Sequence, residues 1–273
     1  MTALSRFVLL LPLALSTAGV AQDGPRPPGE RELVASLAAQ GIRLDPRAGT
    51  ASVLATVEVD NDLLEYLLVG PGGARHETLL ATDVRPSLLN VALLGLGVEP
   101  GRNATWTERD PAPSEAEREA GVAPYEVHPP EGDGFWLYAG WRRGDEVFFV
   151  RIEDLVRNLA TGQTMRRHRW VYLGSRMLPA QGGESELFAA DVYQNLINVS
   201  WFSDGATLLT GALPECLEQT IWMSNAWLLP QRGSALRLVF ARERLDAPPP
   251  DLLEVLPDLG PAPSPYEAPG EGR

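Results

Sequence analysis

The sequence predicts an α+β fold, mainly an antiparallel β-sheet built from hairpins with a few short helices packed on it. Alternating apolar runs recur along the chain, as at Val53, Ala55, Val57 and Val59 and again in Phe135–Trp141 and Ala235–Ala241. Glycine-containing turns such as Gly70-Pro71-Gly72-Gly73 and Arg142-Arg143-Gly144-Asp145 join several of these runs. Only a few stretches, such as Glu32–Gln40 and Leu88–Leu94, carry helical spacing. With 44% hydrophobic and 22% charged residues over 273 positions, the chain can bury one packed core.

Residues 1–21 read as a secretory signal peptide: Arg6 precedes an apolar run from Phe7 to Leu15, and Gly19-Val20-Ala21 offers small residues for cleavage. An uncleaved anchor is the alternative, and no integral membrane segment is expected after signal removal. The domain is expected over 22–246. After a Pro/Gly-rich spacer from Asp23 to Gly29, Leu33, Val34, Leu37 and Ala38 place an apolar stripe on a short helix, with Gly41 as its stop. The strand at Val53–Val59 follows. Glu65–Val69 and Ala74–Thr78 flank the Gly70–Gly73 turn as a hairpin, its glycines supplying positive φ. With a four-residue loop, Glu65 and His76 become diagonal neighbours on one face and Glu77 falls on the other beside Tyr66, whereas a one-residue change in loop length puts Glu77 on the side of Glu65. Pro86 opens a helix that is apolar almost all round and ends at Gly95 and Gly97.

From Asn103 to Gly134 the periodicity stops, which predicts an inserted surface loop, with one helical turn where Ser114 and Glu117 fit a capping box. Phe135–Trp141 and Glu146–Ile152 then form a second hairpin, and Glu153–Leu159 a short helix. Strands are expected at Trp170–Ser175, Glu186–Ala190, Leu196–Trp201 and Ala235–Ala241. From Ala247 to the end, recurrent prolines without periodicity predict a disordered, acidic tail.

The run Glu65-Tyr66-x-x-Val69-x-Pro71-x-Gly73, then His76-Glu77, then a Pro86-started helix ending Ala92-Leu93-Leu94-Gly95-Leu96-Gly97 and Pro100-Gly101, resembles the YdjY-domain family of bacteria. The likeness continues in Trp170 with Gly174-Ser175, the Asp191 turn before Leu196–Ser200, Asn225, and Pro230 to Gly233. It spans about Leu44 to Phe240, with 103–134 as the main departure. Where relatives have a glycine-centred turn, this chain has Val192-Tyr193-Gln194-Asn195. The resemblance implies fold and compartment, periplasmic or extracellular. It implies no activity, because the family has none established.

Composition narrows the function further. All 23 basic residues are arginine against 36 acidic residues, a formal charge of −13, so a nucleic-acid backbone is not an expected partner. Arg166-Arg167-His168-Arg169 is too short a cluster to change that and reads as a solvated loop beside a strand. Cys216 is the only cysteine, which excludes an intrachain disulfide and a cysteine-held iron–sulfur cluster, and it reads as a buried thiol.

Gly70–Gly73 lacks the Lys-Ser/Thr of a phosphate loop, His76-Glu77 lacks the second histidine of a zincin helix, and no serine sits in Gly-x-Ser-x-Gly. A three-histidine zinc site would need His76, His128 and His168 together. Aromatic faces on sheets can hold sugars or peptides. Trp136 and Trp141 fall on opposite faces of one strand, and Trp170, Trp201, Trp222 and Trp227 are expected in the core.

The expected function is a non-enzymatic binding or assembly module of the envelope, taking an envelope protein or a small ligand and no cofactor. The candidate binding residues are Glu65, His76, Glu77, Trp170, Ser175 and Asn225. The competing reading is a metal-dependent or hydrolytic envelope protein centred on His76 with Glu65 or Glu77. His76 itself is expected to be half-buried and bonded to backbone or a carboxylate.

Overall fold

The structure, a computed structural model, describes residues 28–180, 182 and 185–261. The leader expected at 1–21 and residues 262–273 of the proline-rich tail lie outside the described residues. Helix α1 (Pro28–Ala39) leads into β1 (Ile42–Asp45), β2 (Thr50–Val57), β3 (Tyr66–Val69), β4 (Thr78–Ala81) and helix α2 (Pro86–Leu94). Next come β5 (Thr105–Glu108), α3 (Glu115–Glu119), β6 (Tyr125–His128), β7 (Gly134–Arg143), β8 (Glu146–Arg151), β9 (Val156–Asn158) and β10 (Gln163–Thr164). The chain continues through β11 (Trp170–Tyr172), β12 (Met177–Pro179), β13 (Glu186–Phe188), α4 (Ala189–Tyr193), β14 (Asn195–Asn198) and β15 (Leu209–Thr210). It closes with β16 (Trp222–Ser224), β17 (Ala235–Ala241) and α5 (Pro250–Leu253).

The mixed α+β composition holds, but the sheet is a barrel. Its path runs β2-β17-β7-β11-β15-β14-β3-β4, and β4 returns to β2 through Thr56↔Ala81 and Val57↔Leu80, closing eight strands. Closure leaves these strands without a free edge. β1 and β8 hang on β2 and β7 as antiparallel hairpin partners, the second of them as Arg142–Asp145 predicts.

The expected hairpin at 65–78 does not form. β3 and β4 run parallel, with Tyr66↔Thr78, Leu68↔Leu80 and Val69↔Ala81, and β14–β15 is also parallel. The glycines act by close approach, with none of Gly70, Gly72 or Gly73 at positive φ. A Cβ on Gly70 would lie 2.0 Å from Gln194 Oε1, and one on Gly73 would lie 2.6 Å from the Gln194 carbonyl. The chain therefore docks on β14 (Gly70 N donates to the Gln194 carbonyl, 2.7 Å), passes through a 3₁₀ turn at Arg75–Glu77, and re-enters beside β3 in the same direction.

Alternation along each long strand fills the barrel. Val53, Ala55 and Val57 from β2, Leu236, Leu238 and Phe240 from β17, and Phe135, Leu137 and Ala139 from β7 belong to one buried cluster with Leu67, Leu79, Trp170, Tyr172 and Leu196. Phe135 packs edge-on to both Tyr172 and Phe240, each at 6.2 Å. α2 buries Leu89, Ala92 and Leu93, and its Asn90 Oδ1 accepts from the Tyr172 hydroxyl (2.6 Å). Its Val91 and Leu94 are exposed, so its apolar surface is only partly used.

Residues 247–261 correct the expectation of a disordered tail. Leu252 and Leu256 bury themselves against Tyr138, Val239 and Ala241 on the outer face of β7 and β17, a second cluster that needs those long-range partners. Residues 103–133 carry the antiparallel pair of β5 and β6, which is seated on the core through Ala104, Trp106 and Val127, and the Ser114–Glu117 capping box is present on the exposed α3 as expected. Glu153–Leu159, expected as a helix, is instead a 3₁₀ turn ending in β9, which pairs with β10 and β16. Among the described residues no helix is long and apolar enough to cross a membrane.

Candidate functional site

The 3₁₀ turn decides where the predicted residues go. Because β3 and β4 are parallel, Glu65 N donates to the Glu77 carbonyl (3.0 Å), which brings Glu77 to Glu65 instead of to the opposite face. Burial first, then the Glu77 charge, pushes the Glu65 carboxyl above the usual range, with His76 pulling it back. His76 is not half-buried: its side chain is 82% exposed, and its Nε2 stands 3.7 Å from Glu77 Oε1. The preceding Arg75 anchors the turn by an ion pair to Glu58, whose side chain is almost fully covered. His76→Ala is therefore expected to change stability by less than about 0.5 kcal/mol, as surface substitutions do, which thermal melts would check.

Beside this pair is a small cavity of about 60 Å³ on the outer wall of the barrel, lined by Tyr66, Tyr193, Asn195, Asn198, Phe202, Asp204, Ala206 and Thr207. The register pairs Asn198 with Tyr66 across β14 and β3, and Phe202 returns to stack on Tyr66 with centroids 5.3 Å apart and planes 6° apart. Burial, Glu65, Glu77 and Asp204 together push the Tyr66 phenol up to about 12, so the cavity lies in a negative field. Asn198 is only 4% exposed, and its Oδ1 is buried without a partner. Thr210, its register neighbour on β15, has a buried Oγ1 in the same condition. Both atoms lie covered within the β14–β15 pair, beneath the surface of the cavity.

The other predicted residues lie elsewhere, each in a structural role. Ser175 sits at φ 62°, where its hydroxyl donates to the Ala206 carbonyl (2.8 Å) and accepts from Ala190 N (3.1 Å), fixing the approach to α4. Asn225 is buried and donates through Nδ2 to the Asp154 carbonyl (2.8 Å), its backbone carbonyl accepts from Leu228 N and Leu229 N (both 3.0 Å), and its Oδ1, like that of Asn198, is buried without a partner. The loop it braces carries Trp227, which is 87% exposed and not in the core. A tight turn in which Asn225 and Leu229 are buried leaves no inward position for the residue between them.

Trp170 is buried and donates through Nε1 to Glu153 Oε1 (3.0 Å). That carboxylate also accepts from Arg151 Nη2 (2.6 Å) and His168 N (3.3 Å). The Arg166–Arg169 loop is thus only partly solvated. Arg166 and Arg167 are exposed but pair with Glu215 and Asp154, whereas His168 turns inward, 4.9 Å from the Trp170 ring. Its Nδ1 donates to the Arg166 carbonyl (3.0 Å), leaving Nε2 buried and bare, and desolvation pulls the imidazole down to about 4. Burial pushes the Cys216 thiol up to about 12, so it is inert as a nucleophile.

Sequence reasoning missed Asn198, Tyr193, Phe202 and Asp204 as a group. Three of them flank the Leu196–Ser200 run, and their convergence on Tyr66 comes only from the β3–β14 pairing. Among the described residues, no group of three or more His, Cys, Asp or Glu side chains could hold a metal ion.

Fold and site together define a filled, mixed eight-strand barrel with a polar, negatively biased cavity on its outer wall. No protein-family model, curated protein or solved structure matches the chain.

Proposed function

We propose that this chain is an exported binding or assembly module of the periplasm or cell envelope, a YdjY-like domain that holds a small ligand or an envelope partner at the Tyr66–Asn198 cavity and catalyses no reaction. The observation that carries this reading is the cavity itself, walled by Tyr66, Tyr193 and Phe202 with Asp204 among its lining residues. Ser175 is hydrogen-bonded on both sides and Cys216 is buried, so neither is presented as a nucleophile. The segment Phe7–Ala21 supports export.

Hydroxyl-radical footprinting tests the binding role. Tyr193 lines the cavity and is 46% exposed, whereas Tyr125 is 43% exposed on the distant arm. Mixing the purified chain with envelope extract is expected to protect Tyr193 and leave Tyr125 reactive. Equal oxidation of both with and without extract would overturn the reading. Mass spectrometry of exported protein is expected to show Gln22 as the first residue, and an intact leader would reject cleavage.

A further inference from the structure

We infer that the groove lined by Trp227 is a saccharide site, in which the indole takes the C–H face of a pyranose ring and the side chains around it take the hydroxyls. It shares no residue with the Tyr66 cavity and stands or falls separately from the role proposed there.

The scaffold is tied down on both sides. Residues 60–62 and 224–232 meet beside the small sheet of β9 and β16: Asp62 N donates to Ser224 Oγ (3.2 Å), Ser224 N to the Asp62 carbonyl (3.1 Å), and Arg232 N to Asp60 Oδ2 (3.1 Å). With Arg157 of β9 they line a cavity of about 420 Å³, within the roughly 300–1,000 Å³ of small-molecule sites.

Trp227 sets the shape of the ligand. Its side chain is almost fully exposed and makes no ring contact with another described residue, and its turn is pinned by the buried Asn225 and Leu229. A flat, rigid, apolar face presented in this way can be covered only by an added molecule, at small cost in side-chain entropy.

The polar groups set the chemistry. Asp60 spends Oδ2 on Arg232 N and has Oδ1 left as an acceptor. Arg157 is half-buried, yet its guanidinium bonds to no other described residue, and the side-chain amides of Asn61 and Gln231 are likewise unbonded. Carboxylate, guanidinium and amide are planar groups that can each span two adjacent hydroxyls, and every hydroxyl both donates and accepts. The opposite charges of Asp60 and Arg157 favour neither a free anion nor a free cation. A wholly apolar ligand would strip water from these groups and return no hydrogen bond. A ringless polyol would satisfy them and leave the indole uncovered. A sugar ring does both.

The test is a titration of the full-length ¹⁵N-labelled chain, followed by NMR at the tryptophan indole N–H signals and the Asn61 and Gln231 side-chain amides. Trp227→Phe assigns the Trp227 signal by its loss. The probes are cellotriose, maltotriose and the trimer of N-acetylglucosamine, with sorbitol as the ringless control. At least one trisaccharide is expected to shift Trp227, Asn61 and Gln231 to saturation while the buried Trp170 and Trp201 stay in place and sorbitol shifts none. Trp227→Ala, at an exposed position, is expected to weaken binding by about tenfold or more with the melting temperature unchanged. Asn61→Ala and Gln231→Ala are each expected to weaken it several-fold. No shift with any of the three trisaccharides, or an equal shift with sorbitol, overturns the inference. Loss of binding in Trp227→Ala with none in Asn61→Ala and Gln231→Ala would mark a plain apolar contact and overturn it too. Protection of Trp227 from oxidation by envelope extract, without a response to any sugar, would give this face to a protein partner instead.

Discussion

Replacing Glu153 by alanine is expected to lower the unfolding free energy by about 3–5 kcal/mol, because it leaves a buried guanidinium without its counter-charge. The Glu153 side chain is fully buried, and that of Arg151 is only 9% exposed, at an N–O distance of 2.6 Å. Arg151 keeps two carbonyl acceptors, Leu137 (3.3 Å) and His168 (2.8 Å), and lies over the Trp136 ring at 4.8 Å. Neither contact supplies the lost charge. Trp170 Nε1 would also lose its acceptor inside the core. Because removing both charges together avoids the orphan, Arg151→Met/Glu153→Leu is expected to recover most of the loss. Urea unfolding of the three proteins checks this. A Glu153→Ala loss below about 1 kcal/mol, or a double variant as unstable as the single, would show that the pair does not hold this end of the barrel.

Acidification from about pH 6.5 to 4 is expected to cost the protein roughly 3 kcal/mol through His168 alone. Its folded-state value lies near 4, below the ordinary 6.5, so the unfolded chain takes up the proton first. Stability is therefore complete above 6.5 and is lost as pH falls towards 4. The cause is structural: the only nitrogen free to accept a proton, Nε2, is buried without an acceptor to share it. Arg151 and Arg166 add like charge, and Glu215 opposes them. Glu153 works the other way, since burial raises its carboxyl and the folded protein binds that proton more readily, which offsets part of the loss at the acid end. His168→Asn can keep the donor to the Arg166 carbonyl and does not titrate, so its melting temperature is expected to vary less over this window. Parallel curves for the two proteins would contradict the assignment.

Much of the local structure was legible because it depends on spacing alone. The alternation at Val53–Val57, Phe135–Ala139 and Leu236–Phe240 requires one buried face whatever the partner strand. Ser114 and Glu117 satisfy their capping box within a few residues of chain. Gly41, at φ 81°, stops α1 where the stripe of Leu33, Val34, Leu37 and Ala38 ends.

Direction, closure and burial were not legible, for a common reason: each depends on groups far apart in sequence. The pattern of apolar residues in β3 and β4 is the same for parallel and antiparallel pairing. The choice falls to Gly70 and Gly73, whose missing side chains let the backbone close on Gln194 of a distant turn. Eight strands close only when β4 meets β2, which no single strand specifies. Glu153 reads as the start of a helix and His168 as part of a solvated loop until Arg151, Trp170 and the barrel end enclose them, and the residues after Ala247 read as tail until Tyr138 and Val239 offer Leu252 and Leu256 a surface. The sequence by itself determined which residues need a buried face and that a mixed α+β domain would supply it. Only the tertiary structure decided that Tyr66, Asn198, Phe202 and Asp204 would meet, because desolvation and the field of neighbouring charges arise from the pairing of β3 with β14.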